Sequence, residues 1–368
     1  MRNLNDLPDL WERLQNTQKK IVLYGMGNGA DKILDVCAKK SIPVRDIFAN
    51  DEFVRGQVFH GMRVKTWKEI KSIHGAENCI VLLAFGTARQ EVIEQILRVA
   101  SETELYAPDL PVFGEGLFDK RFAIEHLAEL ELVRAMFGDA ESLRIFDAIL
   151  EYKITGDVRL LLSARSDPEA VWKEVVQADR LTSAGDLGAY TGDTARELLD
   201  VAPNLQTVYA MEPDAHSFRK LELYAQSETR AKILPVQAAA WNAAENLSFD
   251  AEGNRNAAIS ENRSAVLASR PVKAVELPAL PPDEVFKGAR VDYLKFDVEG
   301  AEREALEGSA GTLDRWHPTL LVSLYHRVDD LFALPLMVGE RFPFYKSFFL
   351  RRFGGIPAWD LNFYAREE

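Results

Sequence analysis

Two cysteines, Cys37 and Cys79, are all that the 368 residues contain. Cys37 falls in helical spacing and Cys79 opens an apolar run, so both read as small buried apolar residues. Two thiols so placed give neither a disulfide framework nor a zinc-finger spacing. Positive charge is also short. The chain has 44 Lys and Arg against 57 Asp and Glu, a formal net charge of -13. Nucleic-acid binders draw affinity from neutralising phosphates, so nucleic acid is disfavoured as the main partner. An anionic membrane surface is disfavoured for the same reason. No apolar run approaches the roughly 18 residues that span a bilayer. Met1–Pro8 has no apolar signal core. A reducing, cytoplasmic setting and a small-molecule or glycan partner are the expectation; a homo-oligomer stays open.

What is present is ordinary for a globular protein: 47% hydrophobic and 27% charged residues. The length exceeds what one core usually serves, which predicts two domains. Over residues 1–115, short apolar runs alternate with helical spacing. Strands are expected at Lys20–Tyr24, Val44–Ala49 and Cys79–Phe85, and helices at Asp31–Lys40, Lys65–Ile73 and Glu91–Ala100. That alternation implies a small parallel sheet covered by helices. Residues 116–179 have helical periodicity throughout and read as a connector or cap. From residue 180 to 368 the α/β pattern resumes and ends in a hairpin, Tyr345–Arg352 with Asp360–Ala365. The fold class is therefore α/β: a doubly wound, mostly parallel sheet preceded by a smaller Rossmann-like unit. In the hairpin the aromatics are expected to pack inward, with Lys346, Arg351 and Arg352 reaching solvent.

Two glycine turns follow strands. The second is Asp186-Leu-Gly188-Ala189-Tyr190-Thr-Gly192-Asp193. A glycine there lets the backbone approach a ligand closely. Glu212, about 20 residues on and followed by Pro213, stands where a carboxylate accepts ribose hydroxyls. The bland alternative is a strand-to-helix reversal that needs glycine for its own sake. The first turn is Gly25-x-Gly27-x-x-Ala30, with Asp51 further on, which fits the dinucleotide fingerprint. The stretch from Asn50 through Val64 resembles the nucleotide-binding domain at the start of some bacterial sugar acyltransferases. A relict unit that only docks is the equal alternative there.

A third block, Val291-Asp-Tyr-Leu-Lys295-Phe-Asp297-Val-Glu299-Gly-Ala-Glu302, alternates charged and apolar residues. On a strand this puts Lys295, Asp297 and Glu299 on one face, with Asp297 at the ligand edge. Three carboxylates in six positions are costly unless paired or functional. Pairing with Lys295 and helix capping by Glu299 or Glu302 is the structural alternative.

This block resembles the hallmark of the FkbM-like methyltransferases. The resemblance runs through Leu306-Glu-Gly308 and Leu320–His326. It also takes in the Asp186 turn, Glu212-Pro213, Ala238–Asn242 and Tyr345–Arg352, so that it spans about residues 120–366. It implies S-adenosylmethionine as cofactor and O-methylation of a sugar or secondary metabolite. Asp186, Gly188, Ala189, Tyr190, Gly192, Glu212, Pro213 and Ala239 would then hold the cofactor, with Asp186 reaching its ammonium directly or through water and Ala239 and Trp241 near its adenine; ordinary core or surface is the equal alternative for Trp241. Asp297, Glu299 and His326 would position and deprotonate the acceptor, histidine being the usual base near neutral pH. The sequence does not decide between a metal-free base and one assisted by a cation on Asp297, Glu299 and His326. The alternatives are an NAD-dependent oxidoreductase or a nucleotide-sugar-binding protein led by the Gly25–Gly27 turn. Neither explains the Asp297 block, and no Tyr-x-x-x-Lys pair stands out for the first.

Overall fold

The structure, a computed structural model, describes residues 2–250, 258–259 and 274–368. Buried strands separated by crossover helices pair in parallel. In the N-terminal unit β1 (Lys20–Tyr24), β2 (Val44–Phe48), β3 (Cys79–Leu83) and β4 (Glu104–Tyr106) make a parallel sheet in the order β2-β1-β3-β4. The edge strand β4 was not expected; three residues are too few to show a period. Helix α1 (Asn28–Lys39) follows β1 through Gly25 and Gly27, both at positive φ. The close approach of helix to sheet falls on Gly29 rather than on Ala30. A Cβ on Gly29 would lie 2.3 Å from the Ala84 carbonyl oxygen. Ala30 instead packs in the core.

The second sheet holds β5 (Ser183–Leu187), β6 (Thr207–Met211), β7 (Lys232–Val236), β8 (Tyr293–Phe296), β9 (Thr319–Ser323), β10 (Ser347–Arg352) and β11 (Leu361–Arg366). Its order is β10-β11-β9-β8-β5-β6-β7, with β11 antiparallel to both neighbours and the other pairs parallel. Strand order reverses between β5 and β8, where open α/β sheets bind ligands. Among the described residues a small separate sheet, including Glu245–Asp250 and Ala274–Leu280, is inserted between β7 and β8. It was not read from the sequence.

Helices α2 (Leu127–Met136) and α3 (Ala140–Thr155) form the centre of the connector. Their apolar faces join a core that runs from one face of the N-terminal sheet (Val22, Val81) to one face of the larger sheet (Phe296, Leu320, Val322). The remaining helices that matter below are α4 (Asp193–Val201), α5 (Glu302–Gly308) and α6 (Asp330–Arg341). Helix α6 carries Pro335 in its middle, which hid it from a reading by periodicity.

The hairpin arginines correct one expectation. Arg351 and Arg352 do not reach solvent: they are 6% and 0% exposed. Arg351 Nη1 donates to Ser142 Oγ at 2.7 Å and its guanidinium meets Asp139 and Glu141, at the start of α3. Arg352 Nη1 donates to Leu161 O at 2.7 Å and Nη2 to Gly355 O. These carbonyls have no water to turn to, so the charges staple the connector to the sheet. Arg352→Met leaves them unsatisfied and is predicted to lower the unfolding free energy by about 3 kcal/mol in urea titration. A loss below about 1 kcal/mol would mean that water replaces the guanidinium.

Candidate active site

The C-terminal ends of β5, β6, β8 and β9, with β11 beside them, surround a cleft of about 420 Å³. Its shape begins with Gly188. At φ +86°, a Cβ here would lie 1.9 Å from the Asp297 carbonyl oxygen, so only glycine lets the turns after β5 and β8 touch. The N–H groups of Gly188 and Ala189 both donate to Met211 O, at 3.0 and 2.9 Å. Tyr190, also at positive φ, donates its N–H to Glu212 Oε2 at 2.8 Å, and Asp214 donates to Glu212 Oε1 at 2.8 Å. Burial outweighs these bonds and pushes the Glu212 carboxyl up to about 7. Gly188, Tyr190, Glu212, Pro213 and Ala239 line the cleft. Ala189 and Gly192 lie behind it and shape the turn: Gly192 N–H donates to Ala189 O at 2.8 Å.

Asp186 is wholly buried beneath the cleft rather than on its wall. Its Oδ1 lies 3.2 Å from Lys295 Nζ, while its Oδ2 is buried without a hydrogen-bond partner. Lys295 Nζ also stands 3.4 Å from Asp297 Oδ2. One ammonium thus joins the ends of β5 and β8. Burial works against that charge, but Asp186 and Asp297 outweigh it and hold Lys295 protonated. Burial raises Asp186 to about 6 against the pull of Lys295. Asp297 is held low, at about 2: burial opposes its charge, and Lys295, then His326, overcome it. Ser323 Oγ and Tyr325 Oη each donate to Asp297 Oδ1 at 2.9 Å.

Strand β8 stops at Phe296, earlier than the alternation implied, because the chain turns at once. Glu299 takes φ +55° and Gly300 +97°. The turn leaves the Glu299 side chain 34% exposed, on the cleft wall. Its carboxyl is raised to about 7 by burial, against the pull of His326. His326 is 0% exposed and absent from the cleft wall. Its Nδ1 lies 2.9 Å from Glu302 Oε1, and its Nε2 lies 3.6 Å from both Asp297 Oδ1 and Glu299 Oε2. These are ion-pair approaches; neither ring nitrogen makes a directed hydrogen bond. Burial disfavours the imidazolium, but Glu302, then Glu299 and Asp297, raise it to about 10. Glu302 also accepts the Val298 N–H at 2.9 Å, so it fastens the turn as well as the histidine. Donor atoms of Glu302, His326 and Asp330 converge within 4.8 Å, all buried behind the cleft. The structure therefore brings Asp297, Glu299 and His326 together as expected, but gives only the two carboxylates to the cleft.

Residues 186–353 match the family described as the methyltransferase FkbM domain. The chain carries an FkbM methyltransferase domain. Residues 1–185 lie outside that match, which is shorter than the 120–366 stretch over which the motifs run. The fold is similar to that of a methyltransferase FkbM from Methylobacillus flagellatus KT, with 16% identity and a TM-score of 0.68. That likeness covers 94% of this chain and 90% of the other, so the shared architecture includes the N-terminal unit. Aeropyrum pernix fibrillarin in complex with S-adenosyl-L-methionine is a more distant neighbour: 12% identity, TM-score 0.31, 51% of this chain and 67% of the other. A search of curated proteins returns no match. Among the described residues no helix is long and apolar enough to cross a membrane.

Other residues of the cleft were not singled out from the sequence. Trp172 comes from the connector, and Asp360, Asn362 and Tyr364 come from the hairpin. Strand alternation along Leu361–Arg366 is the signal that would have found the last two. Trp241 is not on the wall; its indole N–H donates to Glu245 at 2.8 Å.

Lys295→Met tests the ammonium bridge. It strands Asp186 and Asp297 and is predicted to cost about 3–5 kcal/mol of stability at pH 8. Without Lys295 both folded-state carboxyls titrate above their unfolded values, so protonation then favours the fold and stability falls as pH rises. The deficit against the unaltered protein, followed by chemical denaturation, therefore shrinks toward pH 5. A deficit independent of pH contradicts the bridge.

Proposed function

We propose that this methyltransferase uses S-adenosylmethionine to methylate a hydroxyl of a sugar or secondary metabolite, with Glu299 as the general base. The observation that carries the reading is the pairing of two carboxylates across the Gly188 turn. Glu212 stands at the end of β6 and Glu299 just past β8, both on the cleft wall and both raised toward neutrality. The first suits a ribose, the second a proton.

The residues fit the cofactor. Gly188 leaves no room for a side chain between the two turns. Glu212 keeps lone pairs free beyond the one backbone bond at each oxygen. Asp186 Oδ2 is an orphaned acceptor just below the floor. The Gly188 and Ala189 N–H groups are spent on Met211 O, so they are not offered to a phosphate. That favours a cofactor without phosphates over a dinucleotide. Bound there, S-adenosylmethionine supplies a methyl group on a sulfonium, an electrophile for the acceptor oxygen.

The roles differ from the sequence expectation at two residues. His326 was expected to be the base. As a buried imidazolium it has no free site for a proton, so in this reading it holds Asp297 and Glu299 in place. Asp186 was expected to reach the cofactor's ammonium; here it anchors Lys295. Asp297, fixed as an anion by Lys295, Ser323 and Tyr325, orients the acceptor hydroxyl. Glu299 takes the proton of the acceptor hydroxyl, whose oxygen would then receive the methyl group that the bound cofactor would supply. In-line positioning supplies most of the rate.

Glu212→Ala is predicted to weaken S-adenosylmethionine binding about 10- to 100-fold by calorimetry, through two lost charged hydrogen bonds. Glu299→Gln should retain that affinity and lose about 10²- to 10⁴-fold in transfer of labelled methyl into a protein-free cell extract. Because Glu299 works ionised, the rate should climb with pH through about 7 and level off above it. Tight NAD binding without S-adenosylmethionine binding would overturn the reading.

A further inference from the structure

The N-terminal unit does not stand apart from the Glu299 turn. Lys32, in the first turns of α1, is half-buried and donates from Nζ to Pro111 O and Val112 O, both at 2.7 Å. The next residue, Phe113, donates its N–H to His326 O at 2.8 Å. Its side chain fills the space beside Gly300, where an added Cβ would come within 2.8 Å of it. The Arg327 guanidinium lies over the Phe113 ring at 4.5 Å, and its Nε donates to Gly300 O at 2.6 Å. A continuous path of contacts thus runs from Lys32 through residues 111–113 to both sides of the Glu299 turn. The two units also meet at a second point. Thr87 and Ile356 exchange backbone hydrogen bonds, and Gly86 packs flat against the Trp359 ring. Both contacts come from loops at the ligand edge of their sheets. The ends of β1 and β3 therefore face the acceptor side of the larger sheet.

We infer that Lys32 is a positioning residue for methyl transfer: through the 111–113 segment, the N-terminal unit sets the Glu299 turn and sets the charge around it. The inference rests on the reading of Glu299 as base. The groups whose charge reaches Glu299 are His326, Asp297, Glu302 and Lys32, with Tyr325 on the neighbouring strand end. Lys32 is the one member of this set outside the methyltransferase domain. Its own environment is costly: burial lowers its ammonium to about 8, against the pull of Glu299. The two carbonyls that Lys32 holds belong to the residues directly before Phe113, so the same bonds that fix Lys32 also fix the ring packed beside Gly300, next to Glu299. This gives the first glycine turn a use that needs no nucleotide: it starts the helix that carries Lys32 to the site.

The test uses the full chain, saturating labelled S-adenosylmethionine and the small-molecule extract as acceptor. Lys32→Gln keeps a donor for the carbonyls and removes the charge. It should bind S-adenosylmethionine within about twofold of the unaltered affinity, lose about tenfold or more in turnover, and show its acid limb at higher pH. Lys32→Arg restores the charge and should return the limb to its original position with much of the rate. The inference is overturned if Lys32→Gln leaves turnover and limb unchanged, or if Lys32→Arg binds the cofactor but is as slow as Lys32→Gln. The base reading fails separately: Glu299→Gln at full rate removes it whatever Lys32 does. An inactive Glu299→Gln beside an unaltered Lys32→Gln removes only the role of the N-terminal unit.

Discussion

Everything at the ligand edge depends on one ammonium. Among the described residues Lys295 is the one cation that pairs with both Asp186 and Asp297, and it ties adjacent parallel strands just where their order reverses. That reversal opens a crevice, and a crevice floored by carboxylates would swell or protonate without a cation. With Lys295 in place, Asp297 remains an anion and its hydroxyl donors lock its orientation. Glu299 then gains its unusual state by contrast. It sits beside the same anion but beyond the reach of the lysine, on a left-handed turn that gives it to the cleft. Two carboxylates two residues apart are driven in opposite directions, Glu299 up by burial and Asp297 down chiefly by Lys295. This separation is how one site obtains a fixed anion and a proton acceptor.

The same economy of charge extends outward. Behind the turn, His326 meets Glu302 directly and Asp297 and Glu299 at longer range. Beneath the hairpin, Arg351 and Arg352 replace what would be an apolar seam between connector and sheet. In the other unit, Lys32 ties down the segment whose Phe113 meets the Gly300 turn. Buried or half-buried cations thus mark several of the junctions where separately formed pieces must agree in position. The continuous apolar core supplies most of the cohesion, being non-directional, while these pairs supply register.

Much of this was legible in the sequence. Short apolar runs located β1, β2, β3, β5 and β6, closed by glycine after β1 and β3 and by acidic residues at the ends of the others, and the serial motifs located the cofactor turn, Glu212 and the Asp297 block. What escaped was of two kinds. Short or interrupted elements, such as β4 and the Pro335-bearing α6, fall below what periodicity can resolve. Burial of charge was the other. Arg351 and Arg352 follow an aromatic stretch in a pattern that normally places arginine at the surface; α3 and the helix after it, about two hundred residues away, enclose the first and the second in turn. His326 fails in the same manner. A histidine at a strand end is a reasonable base until the three carboxylates of the 297–302 turn close around it. Lys32 and Phe113 carried no signal, since Lys32's carbonyl partners lie about 80 residues on and Phe113's partners lie in the other unit. Distance along the chain, rather than ambiguity of motif, set the limit.

The account requires His326 to be a cation at working pH, leaving the proton to Glu299. Nitrogen-15 NMR of histidine-labelled protein measures that state directly, with His326→Asn to assign the resonance among the six histidines. Both His326 nitrogens should remain protonated up to pH 8 and beyond, in keeping with a value near 10. A neutral ring at pH 7.5, titrating in the ordinary histidine range, would contradict the account and restore His326 as the base.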